Sequence, residues 1–145
     1  MNKSTKGGNS WKQKLENNFL SGNYFLIPIA MNPQNSRSVF AAGHDVAKST
    51  DGGENWNLIE APDSVYSGAA STVLCLSKSD TNSFFLGYPG PLYLYTNPVK
   101  LLKRNISDWT DLTQNIHTSF PKIFEKYSIT GIDVSTTDDS IWVSF

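Results

Sequence analysis

The stretch KSTDGGENWNLI, Lys48 to Ile59, decides the fold, because a frayed copy of it, KSTKGGNSWKQKL, stands at Lys3. Both copies spell Ser-Thr, one variable residue, Gly-Gly, two further residues and a Trp, and Trp11 and Trp56 lie 45 residues apart. Each copy sets a polar, glycine-bearing turn just before a short apolar segment, which is how a β-hairpin is punctuated. The expectation is a repeat of paired strands.

Working outward from Lys48, short runs rich in Val, Ile, Phe, Tyr and Trp alternate with clusters of Gly, Pro, Asn, Asp and Ser. YFLIPIAM (24–31), SVFAAG (38–43), DVAKST (45–50) and NWNLIE (55–60) form four expected strands, A to D. The same order returns as STVLCLS (71–77), SFFLGY (83–88), PLYLYT (91–96) and DWTDLT (108–113), with Phe40 and Phe85 again 45 apart. A third pass opens with ITGIDVS (129–135) and continues with SIWVSF (140–145), while residues 1–20 supply a hairpin and last strand. The chain thus reads D, ABCD, ABCD, AB, with units expected over 1–20, 21–62, 68–115 and 127–145 and both ends falling inside a unit. The spacing from Trp56 to Trp109 is 53, and the excess is assigned to NPVKLLKRNIS, between strands C and D. Short helical stretches are expected only near PVKLLKRN and FPKIFEKY.

Four antiparallel strands in about 45 residues is the signature of a β-propeller blade. The fold class expected is therefore all-β, a partial β-propeller of four-stranded antiparallel blades. The outer faces of the first and last sheets should then expose apolar side chains and strand edges that seek partners.

With 145 residues, 39% hydrophobic and 12% aromatic, the chain has material for a core. A net charge of -1 offers no basic field, so nucleic acid and anionic membrane surfaces are not expected partners. No apolar run is long enough to span a bilayer, and MNKSTKGGNSW lacks the apolar core of a signal peptide. One cysteine, Cys75, and two scattered histidines, His44 and His117, make neither an intrachain disulfide nor a zinc site, and no cofactor or metal is expected.

Ser49, Asp51, Gly53 and Trp56 resemble the Asp-box, or BNR repeat, Ser-x-Asp-x-Gly-x-x-Trp, of sialidases, sortilin-type receptors, xyloglucan-degrading glycosidases and plant photosystem assembly factors. The copy at Ser4, Gly8 and Trp11 is degenerate, with Lys6 in place of the Asp, and around Thr96 and Asn97 the motif dissolves before Trp109. VFAAGHDVAKSTDGGENWNLI, and WTDLTQN together with ITGIDVSTTDDSIWVSF, look like BNR-type propellers of secreted bacterial multidomain proteins. The resemblance implies an extracellular or cell-surface parent whose neighbouring blades are this chain's partners.

Within such a box the role of Asp51 is structural: a carboxylate at a hairpin tip accepts the turn's own amides, glycine takes positive φ, and the Trp packs between sheets. A metal ligand or catalytic acid is the competing role. Trp11, Trp56, Trp109 and Trp142 are expected in the core rather than as a sugar-stacking platform, with Trp142 standing where Phe40 and Phe85 stand in their units. His44 is expected as a solvated turn residue and Cys75 as a small buried one.

Two function classes follow. A sialidase-like site needs three arginines to hold a substrate carboxylate, and the chain has two, Arg37 and Arg104. A xyloglucanase-like site needs two carboxylates facing across a cleft, whereas the aspartates that can be placed lie in turns. The favoured expectation is a noncatalytic module for protein or glycan contact, and the alternative a fragment of a BNR-repeat glycoside hydrolase.

Overall fold

The structure, a computed structural model, describes residues 1–15, 27–65, 69–80, 82–89, 99–124, 127–137 and 140–145, and for residues 123 and 124 the backbone alone. The chain is mostly β, built of antiparallel sheets. β1 (Asn2–Lys3) pairs with β2 (Lys12–Gln13). β3 (Ile29–Asn32), β4 (Asn35–Ala42), β5 (Val46–Ser49) and β6 (Asn57–Ile59) form a four-stranded sheet in chain order. So do β7 (Val73–Leu76), β8 (Phe84–Tyr88), β9 (Lys100–Arg104) and β10 (Trp109–Asp111). Two short helices, α1 (Thr113–Ser119) and α2 (Pro121–Phe124), lead to a last pair, β11 (Gly131–Val134) with β12 (Ile141–Ser144).

The registers of the two large sheets superpose the repeat residue by residue. Ala30 faces Phe40 and Phe40 faces Lys48, just as Cys75 faces Phe85 and Phe85 faces Lys103. Equivalent residues are thus offset by 45 in the first two strands and by 55 in the third. In the fourth strand Lys48 faces Asn57 and Lys103 faces Thr110, so Trp56 and Trp109 are equivalent. The excess residues therefore lie between the second and third strands, and the turn before Trp109 is shortened by two. This corrects their assignment to the turn between the third and fourth. The expected strand 91–96 lies outside the described residues, and the expected helix over 98–105 is instead β9. The helical expectation near FPKIFEKY holds only over α2, and α1 precedes it.

Alternation along each strand sends neighbouring side chains to opposite faces, and in the central sheets both faces are covered. Ala41 and Ala47 pack with Leu15, Met1 and Trp56, beneath the N-terminal hairpin. Phe40, Ala42 and Val46 point the other way and meet Leu76, Phe84, Leu86, Tyr88 and Leu102 of the next sheet. The rings of Phe40 and Phe84 sit 5.6 Å apart, and Trp109 meets Phe84 edge-on at 5.7 Å. The far face of that second sheet contributes Val73, Val99 and Leu101, which pack with Ile129, Ile132 and Val143 of the last pair. Burying each such large apolar side chain contributes about 1.5–3 kcal/mol. The last interface is tight at Gly87, where a Cβ would fall 2.8 Å from Ile129 Cγ2, so only glycine fits.

Polar links run between the sheets as well. Ser71 N donates to Gly43 O at 2.8 Å, and Thr72 Oγ1 donates to Ile129 O at 3.0 Å. Tyr88 Oη donates to the carbonyl of His44 at 2.7 Å, and Trp109 Nε1 to that of Glu60 at 3.1 Å.

Candidate functional site

Ser49 ends β5, and its hydroxyl is fully buried at the base of the turn to β6. It accepts the amides of Asp51 at 3.3 Å and Gly53 at 2.8 Å while donating to Asp51 Oδ1 at 2.8 Å. Asp51 Oδ1 also accepts the amides of Glu54 and Asn55, each at 2.9 Å, and Oδ2 accepts Asn55 Nδ2 at 2.7 Å. Gly52 and Gly53 carry φ of 78° and 88°, which L side chains rarely adopt. This turns the Gly52 amide onto Arg37 O at 2.7 Å, closing the turn onto β4. The indole of Trp56 folds back beneath, donating from Nε1 to Gly53 O at 3.2 Å and passing 3.4 Å from where a Gly53 Cβ would stand.

The electrostatics follow from that geometry. The Asn55 backbone amide, then its side chain and the Ser49 hydroxyl, all favour the ionised carboxylate and hold Asp51 far below the usual range. Four donors occupy its two oxygens. Three of them share Oδ1 and one takes Oδ2, and a carboxyl held so acidic carries no proton to donate near neutral pH. Beside it, Glu54 takes a hydrogen bond from Lys14, which holds its carboxyl below its ordinary value, and Lys3 Nζ lies 3.6 Å away. Two lysines of the N-terminal hairpin thereby grip the turn of the next sheet.

The copy at Ser4 keeps half of this construction. Ser4 Oγ accepts the amides of Lys6 at 3.3 Å and Gly8 at 2.9 Å, and Gly7 and Gly8 have φ of 58° and 92°. Lys6 supplies no acceptor in place of Asp51, and Trp11 is 64% exposed. In the second large sheet the turn is only Asn105–Asp108, closed by Asn105 N on Asp108 O at 3.0 Å. Trp109 survives without the motif.

The expected core role holds for the half-buried Trp56 and Trp109 and fails for Trp11 and for Trp142, which is 73% exposed. Trp142 does occupy the position of Phe40 and Phe85, opposite Asp133 where they oppose Ala30 and Cys75. No further sheet lies over it among the described residues. His44 is not a solvated turn residue: it is half-buried, with Nδ1 3.2 Å from Ala69 O, and the neighbouring Asp45 is buried, its Oδ1 accepting the Ala61 amide at 2.8 Å. Cys75 is half-buried, and desolvation pushes its thiol up, away from nucleophilic use. Arg104 lies 5.3 Å over the Trp109 ring, while Arg37 is exposed on β4.

A set of residues that sequence reasoning missed is the lysine of each third strand. Lys48 Nζ stands 5.3 Å from the Phe40 ring centre and Lys103 Nζ 5.6 Å from that of Phe85, each across its own strand pair. For Lys48 the signal was the Lys that opens both KST copies, whereas Lys103, in KLLKRN, belongs to neither copy. No group of three His, Cys, Asp or Glu side chains suited to a metal occurs among the described residues, and no helix there is long and apolar enough to cross a membrane. Neither a protein-family model nor a curated protein matches the chain.

Proposed function

We propose that the chain is a noncatalytic stretch of Asp-box β-propeller, its sheets acting as successive blades of an extracellular protein that displays loops for protein or glycan contact. The observation that carries this is the engagement of Asp51 by its own turn: all four of its donors lie within Ser49–Asn55, which favours a motif that holds a hairpin over one that holds a ligand. The face-to-face stacking of sheets in chain order supports the architecture, because each buries both faces against its neighbours as a blade does. The two arginines add no anion clamp, since Arg104 is spent on the Trp109 ring.

The test is incubation of the chain with chromogenic aryl glycosides, sialosides included, alongside an immobilised glycan panel. The expected result is no turnover on any aryl glycoside, with any retention on the panel unchanged by Asp51→Asn. Turnover above the buffer rate that disappears in Asp51→Asn overturns the noncatalytic reading.

A further inference from the structure

Two asparagines in the chain are followed by a residue other than Pro and then by Ser: Asn2-Lys3-Ser4 and Asn105-Ile106-Ser107. That spacing is what an N-glycosyl transferase reads, provided the segment reaches the surface. The structure sets the two apart. Asn2 and Lys3 lie in β1, paired with β2, and the Ser4 hydroxyl is occupied by the amides of Lys6 and Gly8. Asn105 to Asp108 form the turn between β9 and β10, closed by Asn105 N on Asp108 O at 3.0 Å, at the place that Ser49–Trp56 holds in the other large sheet.

That turn presents each part of an acceptor. The half-buried Asn105 carboxamide takes one long hydrogen bond, from Ser83 Oγ to Oδ1 at 3.3 Å, and Nδ2 donates to no described residue. Ser107 is exposed, and its hydroxyl holds no backbone group: it donates to the neighbouring Asp108 carboxylate at 2.9 Å. Between them Ile106 is 78% exposed, more than any other large apolar side chain described. The apolar face of a sugar ring attached at Asn105 can lie on it. No residue of the turn belongs to the packed core, so a bulky group there displaces nothing.

We propose that Asn105 is an N-glycosylation site, filled as the chain leaves the cytosol. The inference rests on the extracellular reading proposed above. In the transfer, Nδ2 attacks the anomeric carbon of an oligosaccharide carried on a lipid pyrophosphate. The C–N bond forms as the C–O bond to the pyrophosphate breaks, the lipid pyrophosphate departs, and one amide proton goes to a base of the transferase. The product stands beside β10, the edge strand of its sheet, where a bulky solvated group hinders strand addition by another chain.

Production of the 145-residue chain behind a cleavable export leader in a eukaryotic host, followed by intact-mass measurement and peptide mapping, tests this. The same chain made in the cytosol gives the reference mass of 16.1 kDa. The exported chain should be heavier by a glycan at Asn105 that a peptide N-glycosidase removes. Asn105→Gln and Ser107→Ala should each abolish the increment, and Asn2→Gln should keep it. An exported chain of unmodified mass, or a glycan that survives Asn105→Gln, overturns the proposal. Amide exchange separates this from failure of the extracellular reading. An exported chain with protected amides in β4, β5, β8 and β9 and a bare Asn105 loses only the site, and a chain that reaches the medium without that protection, or not at all, loses both.

Discussion

The turns Ser49–Trp56 and Ser4–Trp11 share a backbone and differ in what lies beneath and inside it. Serine accepts the same two amides in both, at 3.3 and 2.8 Å in one and 3.3 and 2.9 Å in the other, over two glycines of positive φ. Serine and the glycine pair therefore set the turn. The carboxylate adds a second layer, gathering the amides of Glu54 and Asn55. In the other copy the Asn9 amide falls back on Lys6 O at 3.1 Å. Trp56 has the N-terminal hairpin laid against its side of the sheet, while Trp11 has no sheet beyond it among the described residues.

The largest expected divergence is at the tryptophans. Trp56→Ala opens a gap against Leu15, Ala41 and Ala47 and should cost about 2–4 kcal/mol, somewhat below the toll of a fully buried ring. Trp11→Ala should stay within about 0.5 kcal/mol, as exposed substitutions do. Urea titration of both variants checks the pair, and equal losses would show that Trp11 is packed in solution. Next come the glycines. Gly53→Ala forces an L side chain to a φ of 88° and should cost about 1–2 kcal/mol. Gly8→Ala meets the same backbone penalty at 92°, yet its hairpin carries less of the core, so local fraying caps the loss. Global unfolding should register the first, and amide exchange in β1–β2 the second.

How much of this was legible depends on how far each interaction reaches along the chain. In the Ser49–Trp56 turn the roles of Asp51, the glycines and Trp56 were legible, because those contacts close within eight residues, whereas the Ser49 hydroxyl's part and the Gly52 amide's bond to Arg37 O were not. β4 and β8 were legible from β-branched and aromatic runs. β9 was not: Leu101 and Leu102 are both buried, one toward each neighbouring sheet, so KLLKR shows a continuous apolar pair that periodicity cannot tell from a helical turn. The grip of Lys3 and Lys14 on Glu54 spans 40 residues or more and left no local trace. Exposure on the outer face of the last sheet was legible from the unit pattern and is met at Trp142, although that tryptophan's own place in the repeat pointed to the core.

A smaller effect comes from repairing the degenerate copy. Lys6→Asp places a carboxylate where Asp51 stands, within reach of the amides of residues 9 and 10, and should stabilise the N-terminal hairpin by about 0.5–1 kcal/mol. Amide exchange of β1 and β2 is the direct reading, and slower exchange at Asn9 and Ser10 is the expected sign. Unchanged rates would mean that the carboxylate of the intact turn is held by Asn55 more than it holds the backbone.

The last difference between the turns is in acid. Asp51 is held far below its ordinary value by the Asn55 amide first and by the Asn55 side chain and Ser49 hydroxyl after it. A depressed folded-state value means that the unfolded chain binds the proton first. The stabilisation is therefore complete above the unfolded carboxylate value, near about pH 4, and is lost as pH falls further toward the folded value. Glu54, through Lys14, and Asp133, through Lys78, are lowered in the same sense, so acid should weaken both the N-terminal grip and the last strand pair. Urea midpoints should be flat from about pH 7 to 5 and fall below about pH 4. Asp51→Asn should flatten that fall without removing it, because the amide keeps an oxygen acceptor but no longer titrates. Lys6→Asp should steepen it by adding a second depressed carboxylate. An acid slope indifferent to both substitutions would place the sensitivity in the ion pairs and leave the turn without a part in it.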